Sequence, residues 1–365
     1  MPPVQRRRPF FAIRRSQTTI SCGYAHAPPY LQTSDDTEDG EPDLWFLPPA
    51  PELEPDHLAP LPRAEQSEST LITSWAEAEA GQARRLAEVA ARLGALDDRL
   101  ARGPEGWRHR LALLEASEMG WVAGVRVVPD RLALWVALRL SSVQEDAPAL
   151  QRAAWAFRRL SGGAAPEAGL AEFLGRQDSG ELHALPDRLD GWLALMAHAQ
   201  GLHPLTRAAM GLSHWPDDEP TAHARLEGAV VAARIAADAT QGGALFAPLA
   251  MGGGAALRGG GTPGRRLRSW MDGVEDALRA ALRMLDRVEA WEARAVAVTA
   301  PLSGRTPARL ITVLRDWPMA SAPMAEALTG ASRATVQRNL AWFEEHDLAR
   351  EVTGQGRFRF WRAAL

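Results

Sequence analysis

Apolar side chains recur at helical spacing through most of this chain, and almost no alternating strand pattern precedes residue 347. The clearest early stripe has a 3-4-3-4 rhythm that is interrupted at Gly103-Pro104. Its members are Leu86, Val89, Leu93, Leu96 and Leu100. This spacing places the side chains on one face of an α-helix, and residues 132–140 and 150–160 give further core helices. The predicted fold class is therefore mainly α, with a helical bundle over residues 69–250.

A second regular stripe lies in residues 265–300 and has heptad spacing. It consists of Leu267, Met271, Val274, Leu278, Ala281, Leu285 and Val288. Such a seam fits a helix that forms a homodimer through residues 267–288, and it fits equally a bundle helix packed inside its own chain. The glycine-rich stretch 251–264 before it lacks the preceding strand and following lysine of a phosphate loop, so we interpret it as a flexible loop or linker.

The final segment, residues 305–365, has the pattern of two helices, a short turn, a third helix and a hairpin. The first helix presents Leu310, Ile311 and Leu314, and the second starts at Ser321 with Met324, Ala327 and Leu328 predicted inward. Gly330 ends that helix, and Ser332 can cap a third with an apolar stripe of Val336, Leu340 and Phe343. Two helices joined by so short a link are typical of a helix-turn-helix. The glycines at 354 and 356 and the alternating Arg and Phe residues after them predict the hairpin of a winged helix.

Polar side chains on this predicted winged helix-turn-helix are of the types that contact DNA. Arginine reads guanine and glutamine reads adenine in the major groove, while arginines beside the helix neutralise phosphates. The candidate DNA-binding residues on the third helix are Ser332, Arg333, Thr335, Gln337 and Arg338, and those on the hairpin are Gln355, Arg357 and Arg359.

Charge distribution agrees with a nucleic-acid partner for this segment. Residues 305–365 contain nine arginines and six acidic residues, a net charge of +3, whereas the whole chain carries −4. A net charge of +3 is low for a monomeric DNA-binding protein, so dimerisation is expected to double the contacts. Winged helices also serve as protein-docking modules, and that alternative stays open.

Composition excludes several other classes of function. The basic residues are all arginine, and the absence of lysine rules out a Schiff base or a Walker-type phosphate loop. Cys22 is the only cysteine, which permits neither an internal disulfide nor a cysteine-based zinc site. No apolar run is long enough for a membrane span, and no secretory signal follows the arginine-rich start. We therefore expect a cytoplasmic protein, whose residues 1–68 form a disordered tail rich in proline and acidic residues, with an apolar cluster at 44–47.

Candidate catalytic or metal-binding side chains are few. Four histidines lie within 26 residues, close to the acidic run Asp217-Asp218-Glu219: His198, His203, His214 and His223. No two of them have the i, i+4 spacing of a helical zinc site, so we expect surface or capping histidines and no metal or other cofactor. Glu115 and Glu118 are either carboxylates with perturbed pKa values or part of a solvated helix face. No catalytic residue is assigned.

Several stretches resemble a family of uncharacterised proteobacterial proteins that are common on plasmids of alphaproteobacteria. They are 113–118 (LLEASE), 121–124 (WVAG), 130–135 (DRLALW), 203–208 (HPLTRA), 225–229 (RLEGA) and 321–326 (SAPMAE). The family pairs a helical domain of unknown function with a C-terminal helix-turn-helix domain, and the resemblance covers about residues 40–365. It implies DNA binding and supplies no catalytic residues.

A fainter resemblance connects residues 203–209 (HPLTRAA) with the helix that precedes the catalytic loop of Fic-type nucleotidyl transferases. Their loop reads His-Pro-Phe-x-x-Gly-Asn-Gly-Arg, whereas residues 214–219 here read HWPDDE. Without the glycine-rich anion nest and its arginine, the chain is not expected to catalyse that transfer.

Together these features predict a dimeric, DNA-binding transcriptional regulator that is not an enzyme. Its helical body would bind a small-molecule effector or a protein partner. The alternatives are a degenerate Fic-like, nucleotide-handling protein centred on His203, His214 and Asp217, and a winged helix that docks proteins.

Overall fold

The fold was analysed in a computed structural model that describes residues 67–138, 147–175, 186–216, 222–354 and 359–365. These ranges are mainly helical, as the sequence predicts. The predicted tail of residues 1–68, with Cys22 and the apolar cluster at 44–47, lies almost entirely outside them. None of the helices in the described ranges has an apolar stretch long enough to cross a bilayer.

The helical body, which we define as residues 67–299, contains ten α-helices within the described ranges. They are α1 (Glu68–Ala80), α2 (Ala83–Arg102), α3 (Glu105–Ala123), α4 (Pro129–Leu138), α5 (Ala147–Ser161), α6 (Leu170–Leu174), α7 (Pro186–His198), α8 (Pro204–Ser213), α9 (Ala222–Ala236) and α10 (Pro263–Thr299). The stripe predicted from Leu86 to Leu100 lies on α2, is at most 7% exposed, and packs against α10 and α3. One hydrophobic core joins these helices.

Helix α10 is the longest element, with 37 residues and a length of about 55 Å. Every member of its heptad seam, from Leu267 to Val288, is fully buried in the core of its own chain. The seam is covered by helices that include α1, α2 and α8. The seam therefore packs as the bundle alternative describes, and its buried face is not available for the predicted homodimer through residues 267–288.

The glycine-rich stretch is a loop, and it is packed against the body instead of linking two parts loosely. A short 3-10 helix, Ala255–Arg258, crosses α10 at Gly273, where an added Cβ would lie 2.0 Å from the backbone nitrogen of Ala256. Gly254 has a φ of 66° and lies against Val122 of α3. Two close backbone approaches thus require glycine, which explains part of its abundance here.

The C-terminal module, which we define as residues 306–365, has a second core and a small antiparallel sheet. Its elements are α11 (Thr306–Asp316), β1 (Ala320–Ser321), α12 (Ala322–Thr329), α13 (Arg333–Glu345), β2 (Ala349–Glu351) and β3 (Phe360–Ala363). The strand order is β1-β3-β2, with Ala320 opposite Trp361 and Glu351 opposite Trp361 on the other side. The second hairpin strand was expected at 357–360, of which 357 and 358 lie outside the described residues, and β3 runs from Phe360 to Ala363.

Helix α12 turns a different face inward from the one predicted. Ala322, Ala325 and Thr329 are buried, whereas Ala327 is exposed and Leu328 is 52% exposed. The small side chains permit a close approach of α12 to its neighbours, so side-chain size outweighs hydrophobicity here. Met324 is half-buried. Its backbone N–H donates a hydrogen bond to the Oγ of Ser321, which caps the helix as predicted.

A buried arginine of the body fixes the module in place. The Nη2 of Arg110 in α3 lies 3.0, 3.2 and 2.7 Å from the carbonyl oxygens of Leu314, Arg315 and Trp317. These oxygens belong to the last turn of α11 and the residue after it, where helical partners are missing and a positive charge is favourable. Burial and the nearby Arg362 lower the pKa of Arg110 to about 10, so the side chain is still charged at neutral pH.

Helices α3 and α11 come into close backbone contact at Gly106, one turn before Arg110. An added Cβ at Gly106 would lie 1.7 Å from the carbonyl oxygen of Asp316, whereas at Gly94 on α2 it would meet nothing within 4 Å. We expect Gly106→Ala to lower the free energy of unfolding by about 1–3 kcal/mol, because α3 and α11 must separate. The matched control Gly94→Ala should raise it by about 0.5–1 kcal/mol, because alanine restricts the unfolded chain. Urea denaturation measures both, and equal effects would contradict the close contact.

Candidate nucleic-acid interface

The outward face of α13 is set by what the helix buries. Val336, Leu340 and Phe343 are at most 1% exposed and pack in the module core, as the sequence predicts. A link of three residues joins α12 to α13, and it begins at Gly330 in the left-handed region with a φ of 66°. Since the buried stripe faces inward, Gln337 and Arg338 are exposed on the remaining surface.

Two of the predicted site residues act in the cap of α13. The Oγ of Ser332 accepts a hydrogen bond from the backbone N–H of Thr335 at 3.4 Å and lies 3.0 Å from the Thr335 hydroxyl. Thr335 is also half-buried. These side chains therefore stabilise the start of the helix, and a ligand would have to compete with the cap.

Arginines on the outer face differ in how far they are already paired. The Nε of Arg333 lies 2.8 Å from Glu326 of α12, and its side chain is 62% exposed. An ion pair this exposed contributes little stability, so a phosphate can replace the carboxylate. Within the described residues Arg338 and Gln337 have no hydrogen bond from their side chains. Among the predicted arginines that the structure describes, Arg338 is therefore the one without a side-chain partner.

Of the three candidate residues on the predicted hairpin, the structure describes only Arg359. Gln355 and Arg357 lie outside the described residues. Arg359 is half-buried: its guanidinium carbon is 4.9 Å from the centre of the Trp361 ring, and its Nη2 is 3.4 Å from Glu344. It thus helps to hold β3 against α13. A role in phosphate contact would require Arg359 to leave these partners.

One exposed arginine was missed by sequence reasoning. Arg350 is at the centre of β2, opposite Arg362 of β3, and it is exposed while its neighbour Ala349 is buried. The strand runs from Ala349 to Glu351. An alternation of Ala349, Arg350 and Glu351 could have identified it, but three residues are too few to distinguish a strand from a loop.

The described histidines cap helices or lie beside carboxylates. His203 caps α8: its Nδ1 accepts a hydrogen bond from the N–H of Leu205, and burial lowers its pKa despite the nearby Glu79. His198 lies 3.1 Å from Glu68, and His223 lies 3.0 Å from Glu227. Within the described residues no three His, Cys, Asp or Glu side chains come together in a metal-binding group.

The Fic-like candidates are only partly described. His214 ends α8 with its Nδ1 2.9 Å from the carbonyl oxygen of Met210, and burial lowers its pKa. Asp217 and the two acidic residues after it lie outside the described residues. His203 and His214 stand at opposite ends of α8, so the helix itself separates them.

Glu115 is the most perturbed carboxyl group that the structure describes. It is fully buried, and its oxygens accept hydrogen bonds from the backbone N–H groups of Leu249, Ala250 and Met251 at 2.6, 2.8 and 3.0 Å. Burial raises its pKa to about 7 although the three N–H groups act in the opposite direction. Glu118 is exposed. The solvated-face interpretation is therefore wrong for Glu115, which anchors the loop after α9.

This anchor leads to a prediction about pH. The pKa of Glu115 is raised in the folded state, so the stabilisation linked to its proton is fully present below about pH 4.5 and is lost as pH rises through about 7. Glu115→Gln should lower the free energy of unfolding by about 1–3 kcal/mol, because its amide NH2 meets a backbone N–H. The difference from the unaltered protein should shrink as pH rises through this window.

Denaturation with urea at a series of pH values measures both effects. Glu118→Gln is the matched control, since this exposed carboxylate of the same helix accepts none of the three hydrogen bonds. A difference that stays constant with pH would mean that Glu115 has the same pKa in the folded and unfolded states.

Comparison with known proteins does not assign this chain to a family. No protein-family model matches the chain, and the curated proteins contain no match to it.

Proposed function

We propose that the C-terminal module is a winged helix-turn-helix that binds double-stranded DNA, with α13 as its recognition helix. The order of its elements supports this: helix, strand, helix, helix and two further strands, with a tight link between α12 and α13. The observation that carries the proposal is the outward face of α13, where Arg338 and Gln337 are exposed opposite a fully buried stripe.

Each exposed side chain has a distinct task in this proposal. Arg338 donates two hydrogen bonds to a guanine edge, and Gln337 pairs with adenine in the major groove. Arg333 exchanges Glu326 for a phosphate near the start of the helix, where the helix dipole also favours an anion. Arg350 on β2 supplies a backbone contact beside the groove.

A role in transcriptional regulation follows from joining such a module to a helical body. The module carries a low net charge, and a second copy would double the contacts with DNA. Because the seam of α10 is buried, any pairing of copies uses another surface, and the stoichiometry on DNA has to be measured directly.

One observation favours a second function, docking of a protein. Leu328 is 52% exposed and lines a shallow cleft with Thr312, Val313 and Trp317 between α11 and α12. An apolar side chain in such a place suits a protein partner more than a phosphate backbone. The two functions are separated by whether the protein retains DNA at all.

The first test is a salt titration of the full chain on a library of random double-stranded DNA, followed by sequencing of the retained fragments. A DNA-binding protein should enrich a short motif, and its affinity should fall steeply as salt rises. A palindrome would indicate two copies on one site. No retention at low salt would overturn the proposal and favour protein docking.

Loss of one base-reading side chain gives a sharper prediction. Arg338→Ala should weaken binding to the enriched site by about 1–3 kcal/mol and relax the base preference at one position. Arg84→Ala is the control, because the Arg84 side chain is 94% exposed on α2 of the body, and it should leave both quantities unchanged. Fluorescence anisotropy on the motif and its single-base variants provides the measurement. Equal affinity and preference in the two variants would remove Arg338 from the interface.

A further inference from the structure

A cavity of about 370 Å³ lies in the helical body. It is bounded by α3, α8, α9, the 3-10 helix Ala255–Arg258 and the start of α10. This volume is in the range of sites that bind small molecules. Its apolar surface includes Met119, Leu212, Trp215, Leu257 and Trp270.

In the part of the chain that the structure describes, the charged side chains that line the cavity are all of one sign. Arg225, Arg258 and Arg266 line it, and none of the described lining residues is acidic. Arg266 donates its hydrogen bonds to the carbonyl oxygens of Gly261 and Ser213, at 2.8 and 3.4 Å, and has no ion pair with a carboxylate among the described residues. Arg258 is exposed and has no ion pair within the described residues. Among the described residues, Arg258 and Arg266 thus give the cavity two positive charges without a carboxylate partner, an arrangement that favours an anion.

A glycine of α9 allows the aromatic wall of the cavity to pack closely against that helix. An added Cβ at Gly228 of α9 would lie 2.8 Å from the Trp215 ring, so glycine lets that ring lie directly on the helix. Trp192 packs edge-on against the same ring at 5.1 Å between centroids. Trp215 is thereby held in place without a ligand, and the cavity is preformed.

We propose that this cavity binds a small molecule with an apolar, planar body and one anionic group such as a carboxylate or sulfonate. The body of the ligand packs between Trp215, Trp270 and Met119, while Arg258 and Arg266 hold the anion. This site is independent of DNA binding by the C-terminal module, so either proposal can fail without the other.

The experiment uses 8-anilinonaphthalene-1-sulfonate, an aromatic anion whose fluorescence rises in an apolar site, on the full chain. Its uncharged analogue N-phenyl-1-naphthylamine has the same rings and serves as the matched probe. Saturable binding of the sulfonate with one molecule per chain is expected. Arg258→Gln combined with Arg266→Gln should weaken it about tenfold or more, because hydrogen bonds to charged groups are lost.

Two controls keep the outcome decisive. Arg268→Gln removes an exposed arginine of α10 that does not line the cavity, and it should leave the affinity for the sulfonate unchanged. The uncharged probe should bind the double variant and the unaltered protein alike. Near-ultraviolet circular dichroism establishes that each variant is folded, and if the double variant is not, Arg258→Gln alone replaces it, since Arg258 is exposed. Equal sulfonate affinity in folded variants, or binding that does not saturate, would overturn the proposal.

Discussion

The burial of one face of α10 is the constraint on which the rest of this structure depends. The seam from Leu267 to Val288 lies in the core of the body, and Trp291 and Ala295, one and two turns after Val288, lie in the core of the C-terminal module. The indole N–H of Trp291 donates to the carbonyl oxygen of Leu348. One continuous helix is thus shared by both cores, which is why the described residues form a single compact unit.

Periodicity predicted which faces are buried, but not what covers them. The stripe of α2 and the seam of α10 follow from residues a few positions apart, and the structure has both. Whether the seam packs on its own chain or on a second copy depends on contacts across nearly 200 residues, such as that of Arg85 with Asp272. The role of Arg110 was inaccessible to sequence reasoning, and that of Glu115 was left as one of two alternatives, because α3 is buried on most sides and has no clear polar face.

In the candidate site, too, some features could be predicted from the sequence and others could not. The exposure of Arg338 and Gln337 follows from the spacing of Val336, Leu340 and Phe343 within one helix, so it could be predicted. The contacts of Arg359 could not be predicted, because an alternating pattern indicates only the side of the strand on which a side chain lies. That side is occupied by Glu344 and the ring of Trp361, which hold the guanidinium by charge and by stacking. In α12, alanines occupy the inward face that hydrophobicity alone assigned to Leu328.

Helices α3 and α10 connect the cavity to the C-terminal module, since each contributes residues to both. Met119 and Trp270 line the cavity, while Arg110 and Trp291 contact the module. Arg110 is a buried charge whose acceptors are carbonyl oxygens of a single helix end. Moving α3 away from α11 would leave that charge unpaired, at a cost of several kcal/mol. A ligand in the cavity can therefore change the position of α13 only if it binds the moved state more tightly by at least that amount. Without such a preference, the ligand stabilises the arrangement of body and module that the structure already has.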